Sequence, residues 1–293
     1  MEWKPDWGLR GRMAFTMFLL FALYIVFAGV LFAYFQNIAI MVGFMGIFLF
    51  AQFFFSDKLA LYSMGATVVD EDDGPQAKKL HAMVGRLSQQ ADLPKPKVAI
   101  ADTSVPNAFA TGRSQKNSAV CVTTGLMRTL DDDELEGVIA HELAHVKNRD
   151  VMVMTIASFL SSIAFLIVRW GWFFGGDDNR QNMPVIVAIL ASLVVWIISY
   201  LLIRALSRYR EYAADRGAAV ITGRPSALAS ALLKISGRME NVPKRDMRET
   251  SEMNAFFIIP IKSDFIGRLF STHPSTENRV ERLRDMEREM ETF

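Results

Sequence analysis

Two histidines four residues apart with a glutamate beside the first, His141, Glu142 and His145, stand in the stretch GVIAHELAHVKNRD, Gly137 to Asp150. On a helix, side chains at i and i+4 share one face, one turn apart. Both imidazoles can then reach a single zinc ion, with Glu142 placed to take a proton from an attacking water. A catalytic zinc takes three protein ligands and keeps one position open. The chain has only two other histidines, so the third ligand is His81, His273 or a carboxylate. His81 lies beside Lys78 and Lys79 with nothing at ligand spacing, and reads as structural.

The motif runs straight into an apolar segment that starts at Val151. Hydrophobic residues make up 51% of the 293, and they are concentrated in four runs: 13–35, 38–55, 151–168 and 185–203. Each approaches the roughly 20 helical residues needed to cross a hydrocarbon core, so the sequence predicts four transmembrane helices. The first is too long for a secretory h-region, despite Lys4, Arg10 and Arg12 before it, and reads as an uncleaved anchor. Lysine and arginine are sparse in the turn Gln36-Asn37 and in the loop 171–184, where Arg180 stands alone. The positive-inside rule therefore puts both termini and the middle region in the cytoplasm, with Arg169 the one residue against it.

Two polar pieces remain, 56–150 and 204–293, on the same side of the membrane and able to fold together. In the first, DEDDGPQ (70–76) reads as a surface loop and AKKLHAMVGRLSQQ (77–90) as an amphipathic helix. KVAIADTSVPNAFATG (97–112) reads as extended with a break at Val-Pro, and SAVCVTTGL (118–126) as a strand ended by Gly125. Asp131 with Glu134 three residues on forms a carboxylate capping box at the start of the motif helix.

Helix geometry favours Glu211 as the third ligand over a merely solvated charged face balancing Arg204, Arg208 and Arg210. His145 lies six residues before Val151, about 9 Å along a helix, and Glu211 eight residues after Ile203, about 12 Å. Two neighbouring helices leaving one membrane face bring these side chains to similar height. Asp215, one turn beyond Glu211 on the same helical face, is placed to accept a hydrogen bond from the free N–H of a ligand imidazole.

HELAH, then SRYREYAAD after two apolar runs, then STHPSTENRVERL, together resemble the HtpX-type membrane zinc metalloproteases, relatives of the type I CAAX prenyl proteases. The likeness extends over nearly the whole chain, with the three motifs in order. It implies a gluzincin-like peptidase with one zinc per chain held by His141, His145 and Glu211, with Glu142 as general base and Asp215 supporting a ligand. It also implies that NAFATG (107–112) is an edge strand holding extended substrate by main-chain hydrogen bonds, through Asn107, Ala108, Phe109 and Ala110. His273, before a helix starting near Pro274, is implied as an oxyanion stabiliser or substrate contact.

The expected fold class is a mainly α membrane protein: four transmembrane helices with a cytoplasmic α+β zincin-like protease domain formed from two chain segments. The expected divisions are a membrane anchor at 1–55, a protease region at 56–150, a second transmembrane pair at 151–203 and a second protease region at 204–293. The expected function is hydrolysis of membrane or misfolded proteins at the cytoplasmic side of the cell membrane, in membrane-protein quality control under stress.

Other classes fit less well. Net charge of +1 gives no reason to expect a nucleic-acid partner, and the single cysteine, Cys121, forms no internal disulfide. A di-iron carboxylate site needs a second Glu-x-x-His, which neither His81 nor His273 supplies. A desaturase-like site needs more than four histidines. A membrane scaffold or pseudoenzyme with a structural zinc has no use for Glu142.

Overall fold

The computed structural model of the chain describes residues 6–34, 38–170, 182–239 and 274–291. Its elements run α1 (Trp7–Tyr34), α2 (Ile38–Ser63), β1 (Ala66–Val68), α3 (Pro75–Gln90), β2 (Lys97–Ala101), β3 (Ala108–Ser114), β4 (Asn117–Thr123) and α4 (Thr124–Thr129). They continue as α5 (Asp132–Lys147), α6 (Asp150–Trp170), α7 (Asn182–Thr222), α8 (Pro225–Met239) and α9 (Thr276–Glu291). They form two compact units, one of Pro5–Phe54 with Met152–Tyr209, the other mainly of Phe55–Val151 with Arg210–Phe293.

The runs 38–55, 151–168 and 185–203 lie within α2, α6 and α7, and residues 13–34 of the first run lie within α1. Among the described residues two helices are long and apolar enough to cross a membrane, Trp7–Gly29 and Ile186–Thr222, and Asp150–Phe165 is a shorter apolar helix. In this unit Leu20, Tyr24 and Phe27 of α1 pack with Ala157 and Ile163 of α6 and Val195 of α7. The Tyr24 hydroxyl donates to the Ala157 carbonyl at 2.6 Å, so the one large polar group of the cluster is satisfied within it. Phe15, Phe18, Phe21, Ile25, Leu190 and Val194 face outward and are all exposed. A surface of this kind, apolar on the outside as well as the inside, suits hydrocarbon rather than water.

The other unit is built on a four-stranded mixed sheet of order β1-β2-β4-β3. β2 and β4 run parallel, while β1 and β3 are antiparallel to their neighbours. The extended reading of 97–112 resolves into two strands, β2 and β3, separated at Val105-Pro106. The strand expected over 118–126 ends earlier, at Thr123, because the Thr123 side chain accepts from the Leu126 amide and starts α4. Pro75 at the first turn of α3 starts that helix two residues before the periodic segment, since proline needs no amide partner there.

The β3–β4 hairpin needs Gly112. Its φ is +138°, and a Cβ there would come within 2.3 Å of the Asn117 carbonyl oxygen. The register shifts beside it, between Gly112 and Ser114.

α5 lies in the core, with Leu135, Val138, Ile139 and Leu143 buried among Leu80, Val120, Leu228 and Leu232. Both bonds of its capping box form, Glu134 N–H to Asp131 Oδ1 and Asp131 N–H to Glu134 Oε2, each at 3.0 Å. Gly137 lets α8 approach closely: a Cβ would lie 3.0 Å from the Leu228 amide nitrogen. α5 is thus fixed at its start by hydrogen bonds and along its length by packing, before any metal chemistry is considered.

Gly112→Ala is expected to cost about 1–3 kcal/mol through strain at a left-handed position. The check is the thermal unfolding midpoint of the detergent-solubilised protein, which should fall by several degrees; an unchanged midpoint counts against the hairpin assignment.

Candidate metal centre

His141 and His145, on one face of α5, bring their Nε2 atoms to 3.2 Å with the rings nearly perpendicular. Glu211, from the last turns of α7, faces both: Oε2 lies 3.5 Å from His141 Nε2 and Oε1 lies 3.5 Å from His145 Nε2. One ligand atom from each residue falls within 4.8 Å of the others.

Each histidine is held from behind. His141 Nδ1 pairs with Asp215 Oδ1 at 3.0 Å, and Asp215 is gripped by one edge of the Arg279 guanidinium, Nη2 at 2.6 Å and Nε at 2.9 Å. His145 Nδ1 pairs with Asp150 Oδ2 at 2.6 Å, and Asp150 Oδ1 meets Arg210 Nε at 2.9 Å. Two parallel Arg–Asp–His chains therefore fix the ring orientations, and Nδ1–H donation to the aspartates leaves both Nε2 lone pairs facing the same point. Asp150, Asp215 and Arg279 are each at most 2% exposed.

Two imidazole lone pairs 3.2 Å apart beside a carboxylate repel one another unless a cation lies between them. The donor set of two imidazoles and one carboxylate is one that zinc accepts. Four-coordinate ligands at 2.0–2.1 Å from a zinc ion are about 3.3 Å apart, close to the spacings here. Charge gives the same answer. Arg210 and Arg279 offset Asp150 and Asp215, so that Glu142 and Glu211 are left as two buried negative charges, matched by one divalent cation. His141, His145 and Glu211 fit that ion.

Without the metal, protons are drawn in. Burial alone would lower the His145 pKa, but Asp150 and Glu211 more than reverse this and raise it to about 10. Burial likewise opposes the rise at His141, which Asp215 and Glu211 bring about. Asp215 and Asp150 go the other way: burial would raise them, and their arginine and histidine partners hold both below the ordinary carboxylate range. Glu142 is raised, chiefly by burial.

The other residues singled out in the sequence are placed as follows. His81 Nε2 lies 2.8 Å from the Val69 carbonyl oxygen and is not part of the cluster. Asn107 is fully buried, and both its backbone groups engage Thr123, so this residue is committed to the sheet. Ala108 and Phe109 are buried, the Phe109 ring packing with Met64 and Ala60. Ala110 is half-buried, and its amide donates to Glu142 Oε2 at 2.8 Å. His273 lies outside the described residues.

Sequence reasoning missed Asp150, Arg210, Arg279 and the Ala110 amide. Signals existed for two of these. Asp150 closes the stretch that carries the motif, just past the helix end, where Arg149 takes φ +57° and turns the chain so that Asp150 begins α6. Arg279 is one turn before Leu283 and next to Val280, on the buried face of a strongly polar helix, where an arginine requires a partner.

Comparison with known proteins gives the family. A family model described as Peptidase family M48 matches residues 75–287. The chain is 56% identical over 293 residues to Protease HtpX homolog 2 of Methanosarcina mazei, covering 99% of each. It is 53% identical over 292 residues to the Protease HtpX homolog of Moorella thermoacetica, covering 98% of this chain and 97% of that one. Among solved structures, S. mikatae Ste24p shares the fold at a TM-score of 0.57 with 18% identity, over 89% of this chain and 62% of that protein's length.

Two expectations follow. Asp150→Asn should lower zinc affinity about 10- to 100-fold with the fold intact, as read by competition against a chromophoric chelator. Arg279→Met strands Asp215 as a buried charge and should cost about 3–5 kcal/mol, part of which returns in the double variant Arg279→Met/Asp215→Leu. Additive losses in denaturant unfolding of the two single variants and the double would contradict the pairing.

Proposed function

The chain belongs to peptidase family M48 and is a membrane metalloprotease; on that premise we propose that it hydrolyses peptide bonds with a zinc ion held by His141, His145 and Glu211 and with Glu142 as general base. When bound, the ion supplies Lewis-acid polarisation of the scissile carbonyl and a water acidified toward neutrality. Glu142 takes the proton of the attacking water and delivers it to the departing amine. Its raised pKa suits a base that must also act as an acid in the second half of the reaction. Asp215 and Asp150 keep the two imidazoles in the tautomer that offers Nε2.

The observation that carries this reading is the buried carboxylate of Glu142, one residue from His141 and outside the three-residue cluster. A site that used zinc only to hold the fold together would not bury a further unpaired-by-arginine carboxylate next to it. Support for substrate binding comes from β3, which stands at the sheet edge beside α5. On this reading an extended segment of a membrane or unfolded protein adds to that edge by main-chain pairing. The sides of the peptide are read through Ala108 and Ala110 rather than Asn107.

The same proposal covers membrane topology. α1, α2, α6 and α7 are taken as four spans, with both termini and the catalytic centre cytoplasmic, as the lysine and arginine distribution indicates. α7 runs unbroken from Asn182 to Thr222, which puts Glu211 on the same helix as an apolar run. Substrates presented at the bilayer, and hence a role in membrane-protein quality control, are consistent with that continuity.

The decisive comparison is wild type beside Glu142→Ala and Glu211→Ala, all loaded with zinc and offered an unfolded protein. Glu142→Ala is expected to keep the metal and lose about 10²–10⁴-fold in turnover. Glu211→Ala is expected to lose the metal itself. If Glu142→Ala cleaves as fast as wild type, the base assignment is wrong; if wild type with full zinc content cleaves nothing, the site is structural.

A further inference from the structure

One hydrogen bond joins the sheet edge to the catalytic machinery: the Ala110 amide donates to Glu142 Oε2 at 2.8 Å. Along a strand of an antiparallel pair, successive residues alternate between exchanging bonds with the partner and facing away from it. Ala110 is opposite Val120 in the β3–β4 register, yet its N–H goes to Glu142. Ala110 therefore belongs to the set whose main-chain groups point to the open edge, together with Ala108 two residues before it. Among the described residues this is the one hydrogen bond given to the Glu142 side chain, which is only 5% exposed. One carboxylate oxygen is thus anchored, and Oε1 is left as the oxygen that can take a proton.

We propose that the Ala110 backbone N–H is a positioning group for the reaction: it fixes the rotamer of Glu142 so that Oε1 meets the attacking water, and it is therefore withheld from substrate. The proposal rests on Glu142 being the general base. A glutamate carboxylate on its own turns about three side-chain torsions, and a base is effective only when held within hydrogen-bond reach of its proton. The protein supplies that restraint from the backbone of a strand packed on α5 rather than from a side chain. Substrate seated along β3 is offered the Ala110 carbonyl but not its N–H, so the residue that orients the base also removes one donor from the substrate-binding edge.

The test deletes this N–H while keeping the strand. Replacing Ala110 by its α-hydroxy analogue converts the Phe109–Ala110 amide to an ester without altering the side chain. Ala110→Pro is the genetic counterpart, compatible with the β4 ladder because the missing N–H faces the edge, but its ring Cδ also displaces Glu142 Oε2, so the ester is the cleaner deletion. Both are compared with wild type for kcat and KM on a quenched fluorescent peptide of unfolded sequence, for zinc content, for melting temperature and for Kd of the same peptide on metal-depleted protein.

The expected result is a fall in kcat of roughly 10- to 100-fold with KM, peptide Kd, zinc content and melting temperature unchanged. In a Glu142→Ala background the ester should leave the residual rate unaltered. A rise in KM and Kd with kcat preserved would overturn the proposal and make the N–H a substrate contact. An equal loss in the Glu142→Ala background would show that it acts through the fold. If Ala110→Pro lowers the melting temperature, the ester variant carries the decision. Wild-type turnover in Glu142→Ala alone would defeat the base assignment itself, an outcome separate from any result at Ala110.

Discussion

Four carboxylates, two imidazoles and two guanidinium groups are packed into one region shielded from solvent, and their charges have to balance. Asp150, Asp215, Glu142 and Glu211 are each at most 6% exposed. An isolated buried carboxylate costs several kcal/mol, so none of these positions is tenable without its partners. The two arginines each answer one aspartate, and the two remaining negative charges call for a divalent cation or for protons on the histidines. The rise of His145 to about 10 is the metal-free form of the same demand.

This balance accounts for features that local propensity leaves unexplained. Arg149 adopts a left-handed backbone, unfavourable for a non-glycine residue, at the corner that delivers Asp150 to His145. α9 is a polar helix with few apolar anchors, chiefly Val280 and Leu283, yet it buries Arg279 at 1% exposure against Asp215. The arginine can be buried there only because its fork is received by Asp215. Arg279 also lies 3.4 Å from Glu211 through Nη1, so a single side chain sets the field at Glu211 and at Asp215, the partner of His141.

What could be read in the sequence was what short-range chemistry encodes. The i,i+4 histidines, the Asp131–Glu134 capping box and the apolar runs are all statements about neighbours within a few residues, and the helices they describe are present. Glu211 and Asp215 were reachable because helix periodicity put them on one face of a segment whose distance from an apolar run could be counted. Asp150 and Arg279 left only a sign that each needs a partner, because each acts across a chain reversal or across 64 residues of sequence, and a lone charge does not name the partner it finds. The strand boundaries failed for a related reason. Thr123 is as good a strand residue as a helix cap, and its hydroxyl is held at the cap by the Asn107 amide and the Val105 carbonyl, contacts that only the tertiary fold supplies.

Burial has two opposed effects at Glu142, and the architecture reconciles them. Removing the carboxylate from water raises its pKa, which strengthens it as a base, while the histidines beside it and the Ala110 amide pull the other way. A carboxylate fully desolvated with no donor would simply take up a proton and cease to be a base. A carboxylate surrounded by donors would hold its charge too firmly to accept one. A single backbone N–H on Oε2 lies between these limits: it retains part of the charge and leaves Oε1 free for a proton. Because that donor comes from β3 and the carboxylate from α5, the strength and direction of the proposed base depend on the packing of an edge strand against the motif helix. On that reading the HELAH residues alone do not define a competent site, and the sheet has to be formed before Glu142 is held.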